Sequence, residues 1–217
     1  GDKNNFLGWR AGYNVTTGGS NTAIGYEAMY TATTASQNLA IGYQAGYSSN
    51  ASDTHFIGHE CGYSNTTGYS NTAFGHRTFR ENTTGNNNTA MGLGALRNNT
   101  TGSSNIAIGG SALFTQTTNS ENTAVGYLAL YYSTGSNNTA VGAEAGEQLT
   151  TGYSNTCIGF RAGEECTTSY QSTIIGAYAC DDCTTGIKNT AVGWDAGGNV
   201  TTGGHNVYIG TNSGDDH

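Results

Sequence analysis

The chain has 217 residues, a formal net charge of −8, 34 glycines, no proline and only 35% hydrophobic residues. It contains no basic run, which argues against a nucleic-acid partner. No apolar stretch approaches the roughly 18 residues of a membrane span, so we expect no membrane insertion. Such a composition could fit a disordered chain, but the apolar residues recur at a fixed period, which predicts an ordered repeat structure.

The repeat consists of an apolar residue followed by glycine, within a longer pattern that recurs along the chain. In chain order, clear copies are NTAIGYEAMY from Asn21, NTAFGHRTFR from Asn71, NTAVGYLALY from Asn122 and NTAVGWDAGG from Asn189. The anchor glycines follow one another at 17 residues, with two spacings of 16. They are Gly8, Gly25, Gly42, Gly58, Gly75, Gly92, Gly109, Gly126, Gly142, Gly159, Gly176, Gly193 and Gly210. This regularity is typical of a solenoid, in which each coil contacts its neighbours.

The period is too short for two helices and a turn. Proline-free TAIG segments separated by Gly, Asn and Thr favour short strands, and we expect two strands of about four residues and two turns in each coil. The sequence therefore predicts an all-β fold, a parallel β-solenoid of about 13 coils. Stacked at about 4.8 Å, these coils would give a rod roughly 60 Å long. We interpret residues 1–217 as one solenoid domain, cut from a longer fibrous protein.

The columns of the repeat suggest a core and an outer face. A large apolar residue precedes the anchor glycine in all thirteen copies, and we expect this column to form a thin continuous core. Alanine and glycine would then point the other way and form a smooth face that another backbone can approach. Such a thin solenoid gains little from burial, which predicts oligomerisation. Asparagine stands four residues before most anchors, and we expect it to hydrogen-bond along the stack.

The five cysteines fall into two groups. Cys61 and Cys157 replace alanines of the repeat and are interpreted as small buried thiols. Cys166 and Cys183 occupy the same column in successive coils, where their α-carbons would lie about 5 Å apart, within disulfide range. We predict a disulfide between them, with Cys180–Cys183 as the alternative. A disulfide would fit an extracytoplasmic location.

A column of tyrosines lies five residues after the anchor glycine. Its members are Tyr13, Tyr30, Tyr47, Tyr63 and Tyr131. They form either an aromatic ladder that covers the roll or a strip that binds a carbohydrate or another receptor, because aromatic rings offer flat apolar faces to sugars. The sequence leaves both interpretations open. His59 and His76 also share a column, directly after the glycine, and we expect them to stack.

The sequence contains no GxSxG, P-loop or metal-protease motif. The acidic pairs Glu164-Glu165 and Asp181-Asp182, one coil apart, could bind calcium, but we interpret them as a solvated acidic patch. We therefore predict no enzyme activity, no catalytic residue, no cofactor and no metal. Thr-Thr pairs recur eight and nine residues after most anchors, and regular threonine arrays on flat β-solenoids can bind ice. Here the pair usually precedes glycine, as in NTTG, which indicates a turn. Ice binding through this Thr-Thr ladder is therefore the third functional hypothesis.

The motif N-[ST]-x-[AV]-I-G resembles the head repeat of YadA-like trimeric autotransporter adhesins. The form NTAIGY, followed by TTG, is also similar to repeat arrays in phage tail-fibre-like proteins. The resemblance covers essentially the whole chain. It implies a left-handed parallel β-roll, three chains wound into a fibre, an extracellular location on a cell surface or virion fibre, and a role in adhesion.

These observations predict a structural or adhesive fibre domain. It would form a rigid rod, assemble as a homotrimer and present side chains to a host-cell, prey or glycan receptor. The alternative is a purely structural fibre shaft with no ligand of its own.

Overall fold

The structure is a computed structural model that describes residues 2–214. The chain divides into two compact units, Gly1–Asn105 and Ile106–His217. The described residues are all-β, without a helix, and each unit is a parallel β-solenoid with about 17 residues in each coil. The predicted fold class is confirmed.

Each coil contributes one strand of three residues. The strands of the first unit are β1 (Asn5–Leu7), β2 (Thr22–Ile24), β3 (Leu39–Ile41), β4 (His55–Ile57), β5 (Thr72–Phe74) and β6 (Thr89–Met91). Those of the second unit are β7 (Ile106–Ile108), β8 (Thr123–Val125), β9 (Thr139–Val141), β10 (Thr156–Ile158), β11 (Thr173–Ile175), β12 (Thr190–Val192) and β13 (Val207–Ile209).

The strands pair in parallel in the register of the repeat. In the second unit Thr156 pairs with Thr173 and Ile158 pairs with Ile175, and the remaining pairs of that unit continue the same register. Paired strands lie about 4.8 Å apart. Equivalent residues of successive coils therefore lie side by side, and each column of the repeat becomes a ladder.

The expectation of two strands in each coil is wrong. After the anchor glycine the chain turns instead of extending, because several residues adopt left-handed backbone conformations. Glu27 and Met29, for example, have φ values of 52°, and Gln37 has a φ of 62°. Backbone hydrogen bonds to the adjacent coil nevertheless continue through these turns, as from the Glu27 amide to the Trp9 carbonyl at 2.9 Å.

The predicted core face is also wrong, because the structure places it on the opposite side. The large residue before each anchor glycine points outward, so that Phe74 is 52% and Met91 is 43% exposed. The small residue before it points inward, and Ala73 and Ala90 are each 1% exposed. The interior of so short a coil is narrow, and only small side chains fit at the strand position in most coils.

In many coils one bulky side chain fills the core, and it comes from the strand in some coils and from the turn in others. Where the inward strand residue is Phe56, the opposite turn carries Gly62, at which a β-carbon would lie 2.6 Å from the Phe56 ring. Where the strand residue is Ala73, the turn supplies the buried ring of Phe79. Such complementary volumes keep the interior close-packed. Because the bulky residue changes position, no single large apolar column marks the core in the sequence.

The asparagine ladder is confirmed in both units. The Asn138 side chain is buried, its Nδ2 donates to the Gly152 carbonyl at 2.9 Å, and its Oδ1 accepts from the Asn155 amide at 3.0 Å. Ser172 replaces asparagine in this column and still accepts from the Asn189 amide, at 3.1 Å. Each rung thus joins one coil to the next and satisfies polar groups that would otherwise be buried without partners.

The anchor glycines are required by backbone conformation and by contact with the next coil. Gly126 has a φ of 146°, and a β-carbon there would lie 2.2 Å from the Gly142 carbonyl oxygen. L-residues rarely adopt this conformation.

We predict that Gly126→Ala destabilises the second unit by roughly 1–3 kcal/mol or more, because it adds backbone strain to a steric clash. The control is Gly110→Ala, where φ is ordinary and the nearest atom would lie 3.4 Å away in the Tyr127 ring. Urea unfolding followed by circular dichroism measures both changes. Equal losses in the two variants would contradict this account of the anchor glycine.

A second prediction concerns the asparagine ladder. Asn138→Ala should cost about 3 kcal/mol, because it leaves the Gly152 carbonyl and the Asn155 amide buried without their partner. Asn138→Ser should cost less, since Ser172 shows that a hydroxyl can accept in this column. The free energy of unfolding is measured for both variants. If serine were as destabilising as alanine, the acceptor would not be the important feature.

Candidate functional site

The outer strand face is the most regular surface of each unit. It consists of the first and the third residue of each strand, which stand three residues and one residue before the anchor glycine. Side chains alternate along a strand, so both of these point away from the interior. In the second unit five consecutive coils present threonine beside valine or isoleucine on this face. These residues are Thr123, Val125, Thr139, Val141, Thr156, Ile158, Thr173, Ile175, Thr190 and Val192. Ile158 and Ile175 are 38% and 36% exposed, although they are aliphatic.

The outer strand face carries no acidic, lysine or arginine side chain. None of the 15 acidic or 7 lysine and arginine residues falls in its two columns. The charges lie on the turns instead, where Arg77 and Glu60 pair at 2.9 Å and Arg161 and Glu144 pair at 2.6 Å. An uncharged aliphatic surface of this regularity is typical of an interaction site.

The predicted tyrosine column forms a ladder of stacked rings in the first unit. Tyr13, Tyr30, Tyr47 and Tyr63 follow one another with ring centroids 5.6, 5.2 and 4.9 Å apart and interplanar angles of 12–18°. Burial of its hydroxyl and the nearby Glu27 carboxylate raise the pKa of Tyr47. Each ring therefore covers the face of its neighbour, and between the ends of the ladder only ring edges and hydroxyls meet solvent.

A second aromatic ladder lies directly after the anchor glycines. It contains Trp9, Tyr26, Tyr43, His59 and His76, with centroid spacings of 4.8, 5.2, 4.9 and 4.9 Å. The expected stack of the two histidines is confirmed. Tyr131 belongs to the second unit, where it stacks on Phe114 at 5.2 Å and meets Tyr132 edge-on at 4.6 Å.

The Thr-Thr pairs lie at bends and not on a flat strand. The first threonine of several pairs donates its hydroxyl to a carbonyl of the next coil, as Thr66 does to Thr83 at 2.8 Å and Thr167 to Thr184 at 2.9 Å. These hydroxyls hold the turns together. The Thr-Thr ladder therefore lacks the flat geometry on which the ice-binding hypothesis depended.

All five cysteines are buried free thiols. Burial raises the pKa of Cys61 and of Cys157 to about 12, as expected for packed thiols. Cys166 and Cys183 lie one coil apart and are not bonded to each other here, so the disulfide between them stays a prediction. Cys180 lies close to both.

A ladder of carboxylates continues the tyrosine column in the second unit. Burial, together with the neighbouring Asp182 and Asp195, raises the pKa of Asp181 to about 6. Glu144, Glu147 and Glu164 have oxygens within 4.8 Å of one another, a spacing that could hold a metal ion. Arg161 pairs with two of these three carboxylates, with its Nε 2.6 Å from Glu144 and 3.4 Å from Glu164.

The outer strand face is the feature that sequence reasoning misplaced. Its signal was present in the strict alternation of threonine, small residue and aliphatic residue. The alternation separates two faces of the strand but does not tell which of them is inside. That depends on the width of the coil interior, which the alternation does not reveal.

Comparison of the chain with protein-family models, with curated proteins and with solved structures finds no match. In residues 2–214 there is no helix of the length and apolarity that a bilayer crossing requires.

The raised pKa of Asp181 leads to a prediction about pH. In the folded state this carboxyl holds its proton more tightly than in the unfolded chain, so its contribution to stability falls as pH rises from about 4 through about 6. Asp181→Asn should therefore raise the urea midpoint at pH 7.5 and leave it unchanged near pH 3.5.

The control is Glu121→Gln, which removes one exposed charge from the same unit. Urea titrations at both pH values, at low and at high salt, measure the difference. A gain from Asp181→Asn that is the same at both pH values would contradict the electrostatic explanation.

Proposed function

We propose that this chain is a structural domain of a fibrous assembly, in which the outer strand face packs against further copies of the same chain. The observation that carries the proposal is the row of outward-facing aliphatic side chains on a face without acidic, lysine or arginine residues, in which Val141, Ile158 and Ile175 are exposed. Burying such side chains gains roughly 25 cal/mol for each Å² removed from water. The alanine-rich interior offers each coil little of this gain.

The partner that suits this face best is a second copy. The two surfaces share the same spacing along the stack, so their aliphatic and threonine ladders can interdigitate over many coils. The net charge of −8 would oppose association of identical chains, but the charged residues lie on the turns, away from this contact. The sequence resemblance suggests a trimer, and we adopt that assembly size, on a cell surface or a virion fibre.

The aromatic ladders favour a shaft over a glycan-binding strip. Rings that stack on one another have few free faces for a sugar, although their exposed hydroxyl edges could contact a receptor. We therefore place the structural role first and the adhesive role second.

The outer strand face also supports a second candidate function, ice binding. In the second unit its five threonine rungs repeat in register at the strand spacing of about 4.8 Å. Hydroxyls interleaved with methyl groups could order water on this face, in place of the Thr-Thr pairs at the bends. Self-association and ice binding compete for one surface, so a single series of measurements separates them.

We expect light scattering of the purified chain to give about 67 kDa, three times its 22.4 kDa. The double variant Ile158→Lys and Ile175→Lys should be folded but monomeric, because it places two charges on the outer strand face. The control, Thr168→Lys and Thr185→Lys, adds the same charge to two exposed turn residues of adjacent coils and should retain the wild-type mass.

A wild-type chain that stays monomeric at millimolar concentration would overturn the assembly proposal. Thermal hysteresis and ice-crystal shaping would then be measured on that monomer. Hysteresis lost in Thr156→Lys with Thr173→Lys, but kept in the turn control, would establish the ice-binding alternative.

A further inference from the structure

Three thiols meet inside the second unit. Cys166, Cys180 and Cys183 are 0%, 0% and 1% exposed. Cys166 and Cys183 hold the same column in successive coils, while Cys180 precedes Cys183 in the same turn. With Cys157, four of the five cysteines fall within these two successive coils.

The backbone holds Cys166 directly beside Cys183. Just before Cys166 in the chain, the Gly163 amide donates to the Ala179 carbonyl at 2.9 Å, and the Glu165 amide donates to the backbone carbonyl of Asp181 at 2.8 Å. Adjacent coils thus run together through this segment at about 4.8 Å. That separation lies within the range of about 4.4–6.8 Å found between α-carbons joined by a disulfide.

The same turn brings Cys180 to Cys183. The Cys183 amide donates to the Cys180 carbonyl at 3.3 Å, which closes the turn between them. The Cys166 thiol reaches the Cys180 carbonyl at 3.6 Å. Asn189 Nδ2 lies 4.0 Å from the Cys183 sulfur and donates to it. Cys183 thus stands beside Cys166 in the ladder of successive coils and shares a turn with Cys180.

We propose that Cys166, Cys180 and Cys183 form an oxidisable three-thiol site in which Cys183 is the shared partner. Oxidation yields one disulfide that always contains Cys183, and the third thiol stays free. This inference is independent of self-association, because the site lies in the interior and the outer strand face does not contribute to it.

The chemistry is thiol–disulfide exchange with a small disulfide, RSSR. The Cys183 thiolate attacks one sulfur of RSSR, which releases RS⁻ and leaves a mixed disulfide. The thiolate of Cys166 or Cys180 then attacks the Cys183 sulfur and releases the second RS⁻. In total two protein thiols lose two electrons and two protons, and RSSR becomes two RSH.

Hydrogen bonding favours Cys183 as the first nucleophile. The Cys166 and Cys180 thiols donate to its sulfur, which lowers the pKa of Cys183 and stabilises its thiolate. The hydrogen bond with Cys183, together with burial, raises the pKa of Cys166 and of Cys180. Once Cys183 is in the mixed disulfide, the RS⁻ released in the first step takes the proton of the thiol that attacks next. Cys61 lies in a distant coil and serves as a spectator. Cys157 lies in the same coil as Cys166 and close to it, because a β-carbon on Gly163 would lie 3.0 Å from the Cys157 sulfur and 3.3 Å from the Cys166 sulfur.

The test is oxidation of the full chain with cystamine, a small disulfide, both in the folded state and during refolding from urea. Free thiols are then counted in denaturant, and the intact mass is recorded after alkylation. We expect the wild type to fall from five free thiols to three. Cys166→Ser and Cys180→Ser should each lose two of their four free thiols. The disulfide is Cys180–Cys183 in the first variant and Cys166–Cys183 in the second.

Cys183→Ser is the decisive variant and should keep all four thiols. Serine already stands in this column at Ser49 and Ser133, so the variant should fold, which circular dichroism checks. Cys61→Ser, as a control, should lose two thiols like the wild type. The proposal is overturned if Cys183→Ser still forms a disulfide, or if the wild type keeps five free thiols after both treatments.

Discussion

The constraint on which this structure depends is that every coil must fit against a near-copy of itself at the spacing of paired strands. Backbone hydrogen bonds between coils run through both strand and turn, as from Glu27 to Trp9 and from Thr156 to Ser172. A residue type can therefore fill a column only if its side chain packs on or bonds to an identical side chain about 4.8 Å away. Buried asparagines, ring faces and hydroxyls meet this condition, because each can bond to or pack on an identical neighbour.

The same constraint explains where the repeat varies. Carboxylates crowded together repel one another, and the nearby Asp182 and Asp195 add to the effect of burial in raising the pKa of Asp181. Elsewhere the chain alternates charge along a column, as with Arg77 above Glu60 and Arg161 above Glu144. Surface ion pairs contribute little to stability individually, but here they avoid the cost of a ladder of like charges.

The sequence predicted the period, the parallel register and the asparagine ladder, because these follow directly from columns of identical residues. It did not predict which strand face is inside. That choice depends on the distance across the coil, which is set by left-handed turn residues such as Glu27 and Met29. The turns shorten the coil to one strand, and the narrow interior accepts Ala73 while Phe74 is left outside. A column of large apolar residues alone cannot distinguish a core from an interface.

The inversion of the faces links the fold to its proposed use. A solenoid whose interior holds mainly alanine, with one bulky apolar residue in many but not all coils, buries little apolar surface for its length. Stability then depends on contacts between neighbouring coils. The aliphatic side chains that a wider coil would have enclosed lie on the outer strand face. Association of copies would bury these side chains at the interface, and the apolar burial that one chain lacks in its interior would be gained between chains. On this view the regular threonine–aliphatic alternation has the same physical basis as the asparagine ladder: an identical neighbour at a fixed spacing, within the chain for asparagine and between chains for the aliphatic residues.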